Sequence, residues 1–147
     1  MKRRNLTTHI LGTALILGLL AMSVPIRAHG QQAPEQLAQQ SAEAWLALVD
    51  AGKYGESWQE ASSMFKAQVT KEQWQKTLKA TLDPFGKNKS RKLLGAKYTK
   101  TLPGAPDGDY VVMQYESSFE HKQAAIETIT LVLDKDGTWR VSGYFIK

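Results

Sequence analysis

Hydrophobic and polar residues change their period once along this chain, near Gly86. Before that point, apolar and small residues recur at the three- and four-residue spacing of an amphipathic helix, as Leu37, Ser41, Ala44, Trp45 and Leu48 do. After it, apolar and polar residues alternate, which is typical of half-buried strands. Helices followed by strands with short turns between them indicate an α+β fold.

The first half of the chain predicts three helices. The first carries the apolar stripe just described and ends near Gly52, which suits the left-handed residue at a helix C-terminus. A shorter second helix is indicated by apolar residues at helical spacing, namely Trp58, Ala61, Met64 and Phe65. The third begins after Thr70, which forms a capping box with Gln73, and ends before Pro84 because a residue preceding proline disfavours helix.

Three tryptophans lie on the apolar stripes of these helices: Trp45, Trp58 and Trp74. Exposed indole rings could stack on sugars or bases, which is the binding-site interpretation. A position on the apolar stripe of a helix instead favours burial against the rest of the domain. We therefore expect the tryptophans to pack in the core.

The second half of the chain predicts four antiparallel strands, at residues 91–101, 110–119, 123–133 and 138–146. Residues 102–108 contain two prolines and two glycines and form a stiff turn between the first two strands. We expect the three helices to pack on a curved four-stranded sheet built from these strands.

The closing hairpin has two candidate registers. A four-residue loop would place the apolar residue Leu131 opposite Arg140. A three-residue loop that ends in a left-handed Gly137 gives the pairs Leu133–Trp139, Leu131–Val141 and Ile129–Gly143. The second register keeps apolar residues on one face and puts Tyr144 on the polar face, whereas a one-residue slip would mix the faces.

Glu127 is the one charged residue on the apolar face of this hairpin, and the chosen register places it opposite Phe145. Burying an unpaired carboxylate is costly, so Glu127 needs a partner. We expect Arg91 to fill this role, with Tyr115 as a hydrogen-bond donor. Two structural explanations stand beside a functional one: Glu127 is half solvated at an open rim, or it forms a buried ion pair that fixes strand order. In the functional alternative, Glu127, Arg91, Tyr115 and Phe145 anchor a ligand at the mouth of a pocket.

The first thirty residues have the layout of a secretory signal peptide. Lys2, Arg3 and Arg4 precede an apolar run, and small residues at Ala28 and Gly30 suit a cleavage site. The run of about 15 residues is shorter than the roughly 20 of a membrane-spanning helix; an uncleaved anchor is the alternative. We expect a periplasmic or secreted protein, with residues 31–35 as a polar linker and residues 36–147 as a single domain.

Charge and composition exclude several classes of function. Without residues 1–30 the chain loses four basic residues and no acids, so 15 basic and 14 acidic residues remain. This balance argues against nucleic acid as a partner. The absence of Cys excludes disulfides and zinc–thiolate sites. His121, the one histidine after Gly30, is expected to be solvated in a turn; action as a general base is the alternative. Residues 107–109 lack the further oxygen ligands of a calcium loop. We expect neither a metal nor a cofactor.

Four segments carry a resemblance to a known family: WLALVDAGKY (45–54) with Trp58, LPGAPDGDY (102–110), Glu127-Thr128 and DGTWRVSGY (136–144). With them the chain resembles the secreted bacterial proteins called domain of unknown function 4019. More loosely, the order of helices then sheet is similar to the nuclear transport factor 2-like cone. That resemblance implies a bent antiparallel sheet around N-terminal helices and a cavity, but no particular activity.

The predicted function is a non-catalytic module that binds a small apolar or amphipathic ligand, or an envelope protein, on the concave face of the sheet. One alternative is an isomerase- or lyase-like enzyme with Glu127 as general base. General acid–base catalysis usually needs two groups with separated pKa values, and only Tyr115 could accompany this carboxylate. The other alternative is a structural dimerisation domain, a homodimer that uses outward-facing residues of the sheet: Tyr110, Val112, Gln114 and Tyr144.

Overall fold

The computed structural model describes residues 32–147, which form four α-helices followed by a four-stranded antiparallel sheet. The helices are α1 (Pro34–Asp50), α2 (Tyr54–Glu60), α3 (Ser63–Gln68) and α4 (Lys71–Leu82), and a 3-10 turn (Asp83–Phe85) follows them. The strands are β1 (Asn88–Thr99), β2 (Tyr110–Phe119), β3 (Ala125–Leu133) and β4 (Trp139–Ile146). The predicted α+β class is confirmed, and the predicted signal peptide lies outside the described residues.

Helix α1 begins at Pro34, inside the segment expected to be a linker. Proline suits the first helical turn because its φ is fixed and its missing N–H has no partner to lose. The helix ends as predicted: Gly52 has a φ of +71°, and its N–H donates to the carbonyl of Val49 at 3.0 Å. The buried residues of α1 follow one stripe along the helix, namely Ala38, Ala42, Trp45, Leu46 and Val49.

The second predicted helix is in fact two short helices, so the expected count of three helices is wrong. The chain is extended at Ala61 and Ser62, where ψ is 164° and 158°. The hydroxyl of Ser62 accepts a hydrogen bond from the N–H of Phe65 at 3.1 Å and thereby caps α3. The N–H of Ser62 donates to the carbonyl of Val141 at 2.8 Å. The break between α2 and α3 therefore supplies a hydrogen-bond donor to the unpaired edge of strand β4.

Helix α4 begins and ends where the sequence predicts. The side chain of Thr70 accepts a hydrogen bond from the N–H of Gln73 at 3.2 Å, and the side chain of Gln73 accepts one from the N–H of Thr70 at 3.0 Å. The α-helix stops at Leu82 although Asp83 keeps helical φ and ψ (−54° and −41°); Pro84 has no N–H to continue the hydrogen-bond ladder, and a 3-10 turn follows. Within residues 32–147, no helix is both long enough and apolar enough to cross a membrane.

The four strands are neighbours in chain order, and each pair is antiparallel. Helix α1 contacts all four strands, so it lies across one face of the sheet. We call this the inner face; its residues Met113 and Ile129 are fully buried. The outer face carries Gln114, which is exposed, and Thr128, which is half-buried.

The closing hairpin has the predicted three-residue loop. Gly137 has a φ of +79° and donates its N–H to the carbonyl of Asp134 at 2.9 Å. The first two predicted pairs, Leu133–Trp139 and Leu131–Val141, are confirmed. Glycine is favoured in this loop because the position requires a positive φ.

Beyond Val141 the register differs from the prediction because β4 contains a bulge. Ser142 is left without a partner between the pairs Leu131–Val141 and Thr130–Gly143. The extra residue reverses the faces of everything that follows. Tyr144 therefore pairs with Ile129 and faces inward, while Phe145 pairs with Thr128 and faces outward. The predicted pairs Ile129–Gly143 and Glu127–Phe145 are wrong, as is the outward position of Tyr144.

An aromatic cluster joins the helices to the inner face of the sheet. The ring of Trp45 lies 5.9 Å from that of Trp74 and 5.5 Å from that of Tyr144, and Phe65 meets Trp74 edge-on at 5.0 Å. Such tilted and edge-on contacts add to the burial of large apolar area. Trp45 and Trp74 are buried and Trp58 is half-buried against the hydrophobic core, which confirms their expected place.

The two edges of the sheet are protected in different ways. The junction of α2 and α3 covers part of the β4 edge through the hydrogen bond to Val141 described above. The β1 edge is interrupted by bulges at Lys89 and Leu94, and Lys92 and Lys97 are exposed along it. Bulges and lysines discourage pairing with the strand of another chain.

Candidate functional site

Glu127 lies on β3 and is fully buried on the inner face of the sheet. Its Cα partners are Tyr115 on β2 and Ile146 on β4. A carboxylate at this depth is stable only if its hydrogen-bonding capacity is met by the protein, because no water reaches it.

Each oxygen of the Glu127 carboxylate accepts two hydrogen bonds. Oε2 accepts from Nε of Arg91 at 2.6 Å and from the hydroxyl of Ser117. Oε1 accepts from Nη2 of Arg91 at 3.0 Å and from the hydroxyl of Tyr144 at 2.7 Å. The guanidinium thus binds the carboxylate in the bidentate geometry that gives strong charge-assisted hydrogen bonds.

Arg91 also binds Asp50, at the last residue of α1. Nη1 donates to Oδ2 of Asp50 at 2.7 Å and Nη2 donates to Oδ1 at 3.0 Å. The side chain of Arg91 is 14% exposed and that of Asp50 is 31% exposed, so the line of charges runs from the interior to the surface. The Asp50–Arg91–Glu127 triad therefore ties α1 to strands β1 and β3.

The electrostatics of the triad keep Glu127 ionised. Burial alone would raise the pKa of Glu127, but the hydrogen bonds and charge of Arg91, together with the hydroxyls of Ser117 and Tyr144, hold that pKa below its usual value. Burial, followed by the charge of Glu127, raises the pKa of Tyr144. At neutral pH the site is thus a carboxylate surrounded by protonated donors.

The structure brings together two of the four predicted site residues in the expected way and not the others. The expected pairing of Arg91 with Glu127 is confirmed. Tyr115 is the cross-strand neighbour of Glu127, but its hydroxyl lies 3.6 Å from the sulfur of Met113, so its expected role as donor to Glu127 is wrong. Burial and the charge of Glu43 raise the pKa of Tyr115 to about 12.

The side chain of Phe145 points away from the triad because the bulge turns it to the outer face, where it is 61% exposed. Sequence reasoning missed both Tyr144 and Ser117 as hydrogen-bond donors to Glu127. Gly143 within the strand was the available indication, because an isolated glycine in a strand pattern often marks a bulge. His121 lies in the turn after β2 and is exposed, as predicted.

Helix α1 leaves a groove on each of its sides. The β1-side groove has a volume of about 330 Å³, and its lining includes Glu43, Leu46, Ala47, Asp50, Arg91 and Tyr115. The β4-side groove has a volume of about 660 Å³, and its lining includes Ala44, Trp45, Leu48, Glu56, Glu60, Trp139 and Arg140. Of the predicted site residues, Arg91 and Tyr115 reach the β1-side groove, while Glu127 lines neither of the two.

The β4-side groove combines apolar walls with an acidic rim. Trp45 and Trp139 are almost fully buried and contribute indole surface, while Glu56 and Glu60 are exposed on α2. The one guanidinium in the lining, that of Arg140, is already bound to Asp134 at 3.2 Å and to Asp136 at 2.8 Å.

The carboxylate of Glu127 is closed to a substrate, whereas the grooves beside α1 are open to solvent. In the described part of the chain, no three His, Asp or Glu residues are placed to hold a metal ion. The fully hydrogen-bonded Glu127 has no free acceptor site for a substrate proton. The grooves beside α1 are accessible to a ligand without any change in the triad.

Comparison with protein families places most of the chain in a known family. A family model described as "Protein of unknown function (DUF4019)" matches residues 41–144, which is well over half of the chain. The matched range begins in α1 and ends in β4, so it includes every residue of the triad, Ser117 and Tyr144. No curated protein matches the chain.

Proposed function

The chain belongs to the DUF4019 family of proteins of unknown function, and we propose that it is a non-catalytic module that binds a small amphipathic ligand in the β4-side groove. The observation that carries the proposal is the groove itself, a cleft of about 660 Å³ between α1, α2 and the start of β4. Ligand sites are typically concave, of roughly 300–1,000 Å³, with apolar walls and a few polar groups that orient the ligand.

The charges around the groove favour a ligand with a cationic head. Glu60 forms no ion pair among residues 32–147, and Glu56 pairs only with Lys53, at 3.5 Å between exposed groups. Arg140 is neutralised by the carboxylates of the hairpin loop. An ammonium group at the rim would be attracted to Glu60, while an alkyl or aromatic body would contact Trp139.

The state of Glu127 supports a binding role over catalysis. A general base must reach the proton that it removes and have a pKa near the working pH. Glu127 is enclosed, accepts four hydrogen bonds and has a lowered pKa. These properties belong to a structural carboxylate, which leaves the isomerase- or lyase-like alternative without a base.

We also propose that the domain is a nuclear transport factor 2-like cone and that the protein is periplasmic or secreted. The order of helices then antiparallel sheet, with α1 across the inner face, supports the first proposal. The basic and apolar segments of residues 1–30 support the second. Fractionation of cells that express the tagged protein would test the proposed location. A cytoplasmic pool of full-length chain would contradict it.

The ligand proposal is tested with two amphiphiles that share a tail and differ in charge. Dodecyltrimethylammonium and dodecyl sulfate are titrated below their micelle concentrations while the indole N–H signals are followed by NMR. We expect saturable binding of the cation, with the signals of Trp45 and Trp139 shifted most. Equal affinity for both amphiphiles, or shifts confined to other residues, would contradict the proposal.

Two exposed alanines on α1 provide a matched pair of blocking variants. Ala44 lines the β4-side groove and Ala47 lines the β1-side groove. Ala44→Phe should abolish binding of dodecyltrimethylammonium, while Ala47→Phe should leave it unchanged. The charge is tested in the same way: Glu60→Gln should weaken binding a few-fold, and Glu43→Gln, beside the other groove, should not. Equal loss of binding in the two members of either pair would contradict a ligand site in the β4-side groove.

A further inference from the structure

The outer face of the sheet carries a protrusion and a gap at opposite ends of one row. Gly95, Gln114, Thr128 and Phe145 are Cα partners across the four strands. At the β4 end, the ring of Phe145 is 61% exposed. At the β1 end, Gly95 has no side chain, and a Cβ built there would meet no atom within 4 Å.

The gap at Gly95 belongs to a groove with apolar walls. The groove has a volume of about 510 Å³ and is lined on the outer face by Leu94, Gly95, Lys97, Leu102, Val112 and Gln114. Leu94 is 52% exposed. A phenyl ring entering above Gly95 would be flanked by leucine and valine side chains, which is the environment that an exposed aromatic residue lacks in the isolated chain.

The protrusion and the gap are equally far from the middle of the row, which lies between Gln114 and Thr128. Neighbouring strands are about 4.8 Å apart, so each end is roughly 7 Å from that midpoint. A two-fold axis parallel to the strands and above the midpoint places β4 of one copy over β1 of the other. Because facing sheets pack about 10 Å apart, a side chain from one sheet fills the space above a residue of the other.

From this geometry we propose that the outer face binds a second copy of the chain in a closed two-fold dimer, with Phe145 of each copy seated over Gly95 of the other. Such an interface is isologous, so the same pair of contacts occurs twice and the assembly ends at two copies. At the centre, Gln114 of each copy faces Thr128 of the other, and both side chains can donate and accept hydrogen bonds. The dimer leaves both grooves beside α1 open, so it does not depend on the proposed ligand.

The charges at the rim of the interface predict its response to salt. The adjacent row places Lys92 opposite Lys147 of the second copy. The exposed Glu116 beside Lys92 offsets only part of this positive charge, to which Lys97 on the same face adds. Like charges facing each other oppose association, and salt screens exposed charges over distances of roughly 10 Å at 0.1 M. We therefore expect the dimer to tighten, and not to weaken, when the salt concentration is raised.

The test is sedimentation equilibrium of the protein expressed from its full-length coding sequence, over a range of concentrations. We expect a monomer–dimer equilibrium in the wild type. Phe145→Arg and Gly95→Asp should each raise the dimer dissociation constant by about tenfold or more, which is the scale for loss of an aromatic side chain that is seated in a pocket of an interface. Leu37→Ser removes another exposed apolar side chain, 37% exposed on α1, and should leave the equilibrium unchanged.

Mixing the two variants tests the two-fold arrangement directly. A heterodimer of Phe145→Arg with Gly95→Asp contains one native contact and one contact between opposite charges, so the mixture should associate more tightly than either variant alone. Circular dichroism establishes that both variants are folded. Should Gly95→Asp unfold, Gly95→Ser mixed with Phe145→Arg replaces it, because that heterodimer also keeps one native contact. A wild type that stays monomeric at millimolar concentration, a dimer unaffected by either variant, or a mixture without recovery would each overturn the proposal.

Discussion

The hydroxyl of Tyr144 lies 2.7 Å from Oε1 of Glu127, although simple alternation along β4 would point Tyr144 away from the inner face. The bulge at Ser142 makes this contact, because one extra residue reverses the faces of the strand beyond it. The same reversal exposes Phe145. A single inserted residue therefore completes the environment of the buried carboxylate and also creates the protrusion on the outer face.

Replacing Tyr144 with Phe should lower the free energy of unfolding by roughly 1.5–3 kcal/mol, the range for a hydrogen bond to a charged group. The ring would keep its packing against Trp45, so the loss would come from Glu127 retaining three donors in place of four. Urea unfolding followed by tryptophan fluorescence measures the change.

Tyr110→Phe is the matched control for this substitution. The hydroxyl of Tyr110 donates to the carbonyl of Pro106, an uncharged acceptor, at 2.7 Å. Its loss should cost about 1 kcal/mol. Equal losses in the two variants would show that the charge of Glu127 does not strengthen the bond from Tyr144.

Arg91→Met should be among the most destabilising substitutions in the domain, by roughly 3–5 kcal/mol, because it leaves a buried carboxylate without its cation. The double variant Arg91→Met with Glu127→Met removes both charges and should be more stable than the sum of the two single variants predicts. A double-mutant cycle measured by chemical unfolding gives the coupling. Additive losses would mean that Arg91 and Glu127 do not stabilise the fold as a pair.

Acid should weaken the wild type more steeply than Glu127→Gln. The pKa of Glu127 is lowered by folding, from an unfolded value near 4.5. The stability that ionised Glu127 contributes is therefore present above that value and is lost as the pH falls through the lower pKa of the folded state. Asp109, Glu120 and Asp136 also have lowered pKa values, but they are present in both proteins.

Thermal unfolding between about pH 7 and pH 2 makes the comparison with Glu127→Gln. The variant should be the less stable protein at neutral pH, and the difference should shrink as the pH falls. Parallel curves for the two proteins would mean that the pKa of Glu127 is the same in the folded and unfolded states.

Ser57→Ala should destabilise the helical layer by roughly 1–3 kcal/mol, because it leaves the buried indole N–H of Trp74 without a hydrogen-bond acceptor. The hydroxyl of Ser57 accepts a hydrogen bond from Nε1 of Trp74 at 3.0 Å and donates one to the carbonyl of Tyr54 at 2.8 Å. Ser63→Ala removes an exposed hydroxyl that donates to Asp134 at 3.0 Å, and it should change stability by less than about 0.5 kcal/mol. Similar losses in both variants, measured by urea unfolding, would contradict the burial argument.

The features that the sequence predicted correctly depend on a few neighbouring residues. Thr70 and Gln73 form their capping box through contacts three residues apart, and Gly137 adopts the positive φ that its loop requires. The pairing of Arg91 with Glu127 is a longer-range success, and it rests on a simple constraint: a carboxylate on an apolar face must find a cation.

The incorrect predictions depend on contacts between distant segments. The break between α2 and α3 places the N–H of Ser62 against Val141, a partner that periodicity within the helical segment does not reveal. The bulge at Ser142 turns Tyr144 into the aromatic cluster with Trp45. Packing against the helices is what favours a bulged strand over a regular one, and the strand sequence alone does not contain that contact. Alternation assumes an unbroken strand, so every assignment beyond the bulge was reversed.

The donors that satisfy Glu127 are spread along the chain from β1 to β4. A nascent chain that has not yet reached β4 would have to bury this carboxylate without Tyr144 and without the aromatic cluster that Tyr144 completes. Partial folding from the N-terminus is therefore unfavourable, and the domain gains its stability only when the closing strand is available. Late folding of this kind would suit the periplasmic or secreted location proposed above, because an unfolded chain can be threaded through a translocation channel.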